Sequence, residues 1–267
     1  MKKYIWLMLL FLLFATASVV SAENTERTLH VNVDGQFIET DTSPVIKEGR
    51  MLVPLRTLSS LGLTYQWDNT AKRATIQNAG GDIIRVTASQ RTAYKNNAAV
   101  TLDVPAQIMN GRIMVPVRFV SEQLGLSVQF ENTRGLVFVS SPNYTGPKEA
   151  LNGNDLVQAR LAAISLPLQS SFNTLNPHKG NEFSYRFVKG EAHRYLFMDS
   201  LVYTMVEIRE DKAHILFQYV DGAPNRIARS VGDITEDNRL DKIGPFIGDQ
   251  SVSFFKQSNK YGTDNLH

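Results

Sequence analysis

The chain has 267 residues, of which 43% are hydrophobic and 20% charged, and it contains no cysteine. This composition is typical of a globular protein of one or two domains, and the lack of cysteine excludes disulfides, thiolate metal sites and cysteine nucleophiles. The formal net charge of +2 argues against a nucleic-acid partner, because nucleic-acid-binding proteins need a concentrated basic excess.

The first 22 residues predict a secretory signal peptide. Lys2 and Lys3 precede an unbroken apolar run over 5–15, and the small residues at 20–22 suit a signal peptidase. The alternative is an uncleaved anchor, but the apolar run is too short to span a bilayer comfortably. Cleavage after Ala22 would leave 26 basic residues against 26 acidic ones. We therefore expect a formally neutral mature chain without a membrane span, either secreted to the exterior or associated with the cell wall.

An internal repeat organises residues 29–140. The segment Gly-Arg-Met-Leu-Val-Pro-Leu-Arg at 49–56 recurs as Gly-Arg-Ile-Met-Val-Pro-Val-Arg at 111–118, and 61–70 matches 124–133. Each unit predicts a β-hairpin, a short helix opened by Val-Pro and closed by a glycine, and a second hairpin. The predicted strands cover 29–33, 36–39, 64–67 and 73–77 in the first unit and 92–94, 98–102, 127–130 and 135–140 in the second. The first unit is one residue shorter in its helix, which predicts a distorted helical turn there.

Three motifs of the first unit carry a family resemblance. V-x-V-D-G, P-x-I-x-x-G-R-x-L-V-P-L-R and L-G-x-x-x-x-W-D resemble the copper amine oxidase N-terminal-like domain, also called the stalk domain. The matching residues are Val53, Pro54, Arg56, Gly62, Trp67 and Asp68, and then Val115, Pro116, Arg118, Glu122, Gly125, Phe130 and Glu131. The resemblance implies an accessory module of secreted and surface proteins of Gram-positive bacteria. It does not imply oxidase chemistry, since the chain has no His-x-His pair, and we predict no cofactor and no metal site.

Four residues of the repeats are candidate ligand contacts. Arg56 and Arg118 follow the two Val-Pro pairs, where a guanidinium can bind carboxylates or glycans. Trp67 and Phe130 stand at the ends of the strands that follow. We favour a structural role for these residues. Each arginine would pair with the acid after the aromatic residue, Asp68 or Glu131, or with carbonyl groups of the turn. Trp67 would lie in the core and would not serve as a sugar-stacking platform.

The C-terminal half predicts a different module. A turn-rich linker covers 142–153, and Asp155 caps a helix from Leu156 to about Leu175 that Pro167 interrupts. Strands are predicted over 182–188, 193–198, 201–209, 212–219 and 251–255, followed by a polar tail over 256–267. The acidic segment 221–248 lacks the pattern of a calcium-binding loop, so we predict a solvated loop.

We therefore predict an α+β protein with two domains, a duplicated stalk-type module at 23–141 and a helix-plus-antiparallel-sheet domain at 154–267. No nucleophile elbow, phosphate-binding loop or zinc-protease helix is present, so no catalytic residue is assigned. The predicted function is a secreted, non-catalytic cell-envelope protein that binds or scaffolds a cell-wall polymer or surface protein. The alternative is an extracytoplasmic enzyme with a hydrolytic site in the C-terminal domain, built from Glu182, Glu191, His193 or Glu207.

Overall fold

The computed structural model describes residues 29–175, 183–222 and 226–257. The predicted signal peptide and residues 258–267 of the predicted tail lie outside these ranges. The fold is mixed α+β and consists mostly of sheet. No helix in the described ranges has the length and apolar character needed to cross a bilayer.

The N-terminal half is built from short strands and two short helices. The strands are β1 (His30–Val33), β2 (Gln36–Ile38), β3 (Val45–Lys47), β4 (Arg50–Pro54), β5 (Thr64–Asp68), β6 (Arg73–Gln77), β7 (Ile83–Thr87), β8 (Thr92–Lys95), β9 (Ala98–Thr101), β10 (Gln107–Met109), β11 (Arg112–Pro116), β12 (Ser127–Glu131) and β13 (Leu136–Ser140). A 3-10 helix covers Leu55–Leu61, and α1 covers Val117–Leu124. Five of these strands, β3, β4, β7, β10 and β11, were not predicted. They lie where the sequence predicts turns, links and helix starts.

Three sheets combine strands from both repeats. Sheet I has the order β12-β13-β1-β2, sheet II the order β10-β11-β4-β3, and sheet III the order β5-β6-β7-β8-β9. The last hairpin of the second repeat thus closes onto the first hairpin of the first repeat, through parallel pairing of β13 with β1. In sheet II, β4 and β11 pair antiparallel with Val53 opposite Val115.

The two repeats differ in their helices, as predicted from the missing residue. The first repeat forms the 3-10 helix and the second the α-helix α1, and both end at a left-handed glycine, Gly62 (φ 71°) and Gly125 (φ 75°). One detail of the prediction is wrong. Pro54 and Pro116 end the strands β4 and β11 and precede the helices, because the extended pairing of β4 with β11 continues as far as both prolines.

The main apolar core of this half lies between sheets I, II and III and the two helices, and a smaller cluster is formed by Leu52, Val104 and Met114. Fully buried members of the main core include Val31, Val53, Leu58, Ile76, Ile84, Val115, Val120 and Val137. Burial of such side chains stabilises the fold by roughly 1.5–3 kcal/mol each. The alternating apolar residues of β1 and β6 therefore face one shared interior, as do Val137 and Val139 of the continuously apolar strand β13. Strand β5 lies at the edge of sheet III.

The C-terminal half is an antiparallel meander covered on both faces. Its elements are α2 (Lys148–Leu151), α3 (Leu156–Ile164), β14 (Leu168–Gln169), β15 (Phe183–Val188), β16 (Arg194–Asp199), β17 (Val202–Arg209), β18 (Lys212–Gly222), β19 (Arg226–Gly232), α4 (Arg239–Ile247) and β20 (Ser251–Gln257). Sheet IV has the order β14-β18-β17-β16-β15-β20, and β19 also pairs with β18. The predicted strands of the meander are confirmed, with ends that differ by at most three residues.

Three predictions for this half are wrong. The helix that Asp155 caps ends at Ile164, since the residues before Pro167 disfavour the helical conformation, and Leu168 starts a short strand parallel to β18. The predicted loop at 221–248 contains β19 and α4, because Ile243 and Phe246 of α4 bury themselves on sheet IV. The predicted linker contains α2, whose Leu151 is buried against α3 and sheet IV in a core on the side of the sheet opposite α4.

Arg134 joins the two halves. This arginine is 2% exposed, and its guanidinium donates to Glu131 Oε2, to the backbone oxygens of Ile164 and Leu166 at 2.7 Å each, and to Tyr195 Oη at 3.3 Å. Burial opposes the charge, but the adjacent Glu131 carboxylate is the largest influence that raises the pKa of Arg134 above its ordinary value. The charged side chain thus satisfies carbonyl groups at the end of α3 that the helix leaves unpaired.

Candidate functional site

Two reciprocal ion pairs bridge the repeats. Arg50 Nε lies 2.7 Å from Asp103 Oδ2, and Arg112 Nε lies 2.7 Å from Asp41 Oδ2. Each arginine follows a left-handed glycine, so each tight turn directs its guanidinium to an aspartate of the other repeat. All four side chains are more than a third exposed, and such pairs contribute little stability. Their effect is to fix the local geometry of two surfaces.

The first surface is a groove of about 450 Å³ between the repeats, here called the Arg118 groove. It is lined by Arg50, Asp103, Arg118, Phe119, Val128 and Phe130, among others. Arg118 lies in the first turn of α1 and is exposed. Phe130 lies on the edge strand β12 and keeps 43% of its surface exposed. A free cation, an aromatic ring and an apolar floor are thus brought together in an open groove.

The expected pairing of Arg118 with Glu131 is wrong. Glu131 is 7% exposed and accepts hydrogen bonds from the backbone and guanidinium of Arg134. Within the described ranges no ion pair to Arg118 is found. Arg134 stands where the first repeat has Ala71, so this difference between two otherwise matching turns was the signal that could have identified the true partner of Glu131.

The second surface, called the Trp67 face, consists of Tyr65 and Trp67 on β5 and of Arg112, which lies close enough to Tyr65 for an electrostatic interaction, together with its neighbours Asp41 and Arg56. The predicted pairing of Arg56 with Asp68 is wrong. Arg56 Nη1 instead lies 3.8 Å from Asp41 Oδ2.

The reason is that Asp68 is already engaged in its own turn, where it accepts the backbone N–H groups of Thr70 and Ala71 at 2.9 Å each. The hydrogen bond from Arg112 is the main reason that the pKa of Asp41 lies below its ordinary value. Asp41 is therefore a carboxylate at neutral pH, shared between Arg56 and Arg112.

Trp67 is not a core residue, contrary to our prediction. It is 40% exposed, and Tyr65 two residues before it is 39% exposed. The whole of β5 is exposed because this strand forms the edge of sheet III. The interior is filled by Leu58 and Ile76 from neighbouring elements, so the alternation within β5 does not correspond to a buried face.

The C-terminal half contains a second groove, of about 430 Å³, between sheet IV and α4. Its charged lining consists of Arg194, Glu207, Arg209, Asp233, Asp241 and Lys242, above the apolar residues Met205, Phe217 and Phe246. Glu207 pairs with Arg209, and Asp233 pairs with Lys242. These carboxylates are thus neutralised by neighbouring cations and are not held free in the groove.

The candidate acid–base residues of this half do not converge. Glu191 pairs with Arg194 at 3.1 Å, and Glu182 lies outside the described residues. His193 is exposed, while His214 lies opposite Glu207 in the pairing of β18 with β17. Within the described ranges, no group of three His, Cys, Asp or Glu side chains is placed to hold a metal ion.

A known family matches the N-terminal half of the chain but not the C-terminal half. Residues 32–139 match the family model of the copper amine oxidase N-terminal domain, and the C-terminal half matches no family. No curated protein sequence matches the chain. The match covers the N-terminal, non-catalytic domain of those enzymes and no other part of them. The N-terminal domain of this chain is thus a copper amine oxidase-like stalk domain.

Proposed function

We propose that the protein is a secreted, non-catalytic cell-envelope protein whose stalk domain binds or scaffolds a cell-wall polymer or a surface protein. The observation that carries this proposal is the Arg118 groove. Within the described ranges Arg118 has no ion-pair partner, and the half-exposed ring of Phe130 beside it leaves apolar surface in contact with water. Arginine and aromatic side chains are also the residues that most often anchor protein interfaces.

The proposal includes a duplicated architecture for the stalk domain. Residue pairs in sheet II are Val53 with Val115, Leu52 with Pro116, and Pro54 with Met114. Positions equivalent in the repeat are 62 residues apart, so the pairing is unchanged when the two repeats are exchanged. The reciprocal ion pairs of Arg50 and Arg112 obey the same exchange. This pattern supports a pseudo-twofold axis between Val53 and Val115, with one ligand-binding surface on each side.

Secretion is part of the proposal and rests on the sequence of the first 22 residues. The basic start, the apolar run and the small residues before Glu23 are the pattern of a cleaved signal peptide. Mass spectrometry of the exported protein tests this directly. An N-terminus at Glu23 supports secretion through a signal peptide, and an intact Met1 in the mature protein contradicts it.

Wall binding is tested with the chain from Glu23 to His267 and purified insoluble Gram-positive cell walls. We expect the chain to be retained and Arg118→Glu to reduce retention. Arg229→Glu is the matched control, because Arg229 is an exposed arginine on β19 in the other half and undergoes the same change of charge. Retention that is absent, or that Arg118→Glu leaves equal to the control, contradicts a binding role for the groove.

An extracytoplasmic enzyme is the second candidate, favoured by the charged groove beside α4. Its carboxylates Glu207, Asp233 and Asp241 would have to act in hydrolysis. Incubation of soluble wall fragments with the chain, followed by product analysis, tests this candidate. Product that disappears with Glu207→Gln would favour the enzyme over the binding module, and unchanged fragments would favour the binding module.

A further inference from the structure

The Trp67 face has two neighbouring exposed aromatic rings, where the Arg118 groove has one at the equivalent positions. Tyr65 and Trp67 are two positions apart on β5, so their rings project from the same side of the strand about 7 Å apart. In the second repeat these positions are held by Val128 and Phe130, which offer one ring in place of two. Tyrosine and tryptophan combine a rigid apolar surface with a polar tip, and they make contact area at little cost in conformational entropy.

A charged cluster lies next to Tyr65, because Arg112 is close enough to interact electrostatically with this side chain. Asp41 is held by Arg112 at 2.7 Å, and Arg56 approaches the same carboxylate only to 3.8 Å. The side chain of Arg56 is 61% exposed. The cluster of two arginines and one aspartate thus has one cation in excess, and Arg56 is the one free to face a ligand. A planar guanidinium binds a carboxylate through two parallel hydrogen bonds.

We propose that the Trp67 face binds a carboxylate-bearing polysaccharide. Sugar rings lie on Tyr65 and Trp67, and a carboxylate of the polymer pairs with Arg56. This inference rests on the proposed function and names the ligand class for one of its two surfaces. The chain from Glu23 onward is formally neutral, so a local cation next to aromatic rings, and not general attraction to a polyanion, sets the preference.

The chain offers a direct reporter for this site. It has two tryptophans, Trp6 and Trp67, so Trp67 alone remains when the chain starts at Glu23. That chain contains every described residue. Its tryptophan emission is titrated with oligogalacturonate, with neutral malto-oligosaccharide of equal length and with poly-glutamate. We expect a saturable change with oligogalacturonate and a much weaker one with either of the other probes.

Two variants locate the contact. Arg56→Gln should weaken oligogalacturonate binding about tenfold, the loss expected for one charge-assisted contact. Arg118→Gln, at the equivalent position of the second repeat, should leave the Trp67 titration unchanged. Both side chains are exposed, and circular dichroism confirms that each variant is folded. Tyr65→Ser provides a second test, because it removes one ring and leaves the charges in place.

The outcomes separate this inference from the proposed function. No emission change with oligogalacturonate, an equal response to poly-glutamate or the neutral sugar, or an Arg56→Gln titration equal to wild type each overturns the polysaccharide site. If the same chain is still retained by cell walls through Arg118, the proposed function survives this loss. If wall retention is absent while oligogalacturonate binds at Trp67 with the predicted variant pattern, the polysaccharide site stands and wall binding through the Arg118 groove is wrong.

Discussion

Removal of Arg134 should destabilise both halves of the protein together. Arg134→Met keeps most of the side-chain volume but removes the guanidinium that binds Glu131, Ile164 O and Leu166 O. Breaking one partner of a buried ion pair costs about 3–5 kcal/mol, since the other charge stays buried without compensation. We expect a total loss of about 4 kcal/mol in the free energy of unfolding.

Urea unfolding followed by circular dichroism measures this loss. With an m-value of about 2 kcal/mol per molar urea, the midpoint should fall by about 2 M. Arg73→Met is the matched control, because Arg73 lies 3.8 Å from Asp68 with both side chains nearly half exposed. That exposed pair should contribute less than about 1 kcal/mol.

A second change separates charge from packing. Adding Glu131→Gln to Arg134→Met removes the stranded charge, so the double variant should be more stable than the single one by about 1–2 kcal/mol. If the urea midpoint of Arg134→Met equals that of the Arg73→Met control, the buried Arg134 does not stabilise the contact between the two halves. A double variant no more stable than the single one would show that Glu131 is not left as a buried, uncompensated charge when Arg134 is absent.

Three smaller predictions follow from local geometry. Gly35→Ala should lower the free energy of unfolding, measured with urea, clearly more than Gly49→Ala does. Both positions have a positive φ, which destabilises an alanine by about 1 kcal/mol, but only at Gly35 would the new Cβ lie 2.3 Å from Tyr144 Oη. Burial raises the pKa of Tyr144 to about 12. The unfolded chain then loses this proton first, and stability falls as pH rises above 10; Tyr144→Phe should reduce that alkaline loss in unfolding measured across pH 9–12. Asp155→Ala should cost about 1 kcal/mol by thermal unfolding, because its carboxylate caps α3 through Val157 and Gln158 N–H.

Local patterns predicted much of the fold. The turn at Asp34 and Gly35, the glycine helix ends and the strands of the C-terminal meander follow from short-range preferences that the tertiary structure respects. The single missing residue between Arg56 and Gly62 even predicted which repeat departs from an α-helix. These features depend on residues close to one another in the chain.

Contacts between residues and elements far apart in the chain could not be predicted in the same way. Arg50 and Asp103 recur as Arg112 and Asp41, but nothing in one repeat shows that each arginine pairs with the other repeat. The exposure of Trp67 depends on β5 being the edge of sheet III, which is decided by β7, a strand the sequence argument missed. Likewise α4 forms because sheet IV offers it an apolar face, which a polar local sequence does not reveal.

Acrylamide quenching of Trp67 in the chain from Glu23 to His267 tests most directly whether an arginine and aromatic rings form an open binding surface on the stalk domain. Trp67 is the only tryptophan left in that chain to report on this surface. We expect quenching in the folded chain that is a substantial fraction of that in urea, in line with 40% exposure, and that falls when oligogalacturonate is added. Quenching that is negligible in the folded chain, with blue-shifted emission, would place Trp67 in a core and contradict the open binding surface.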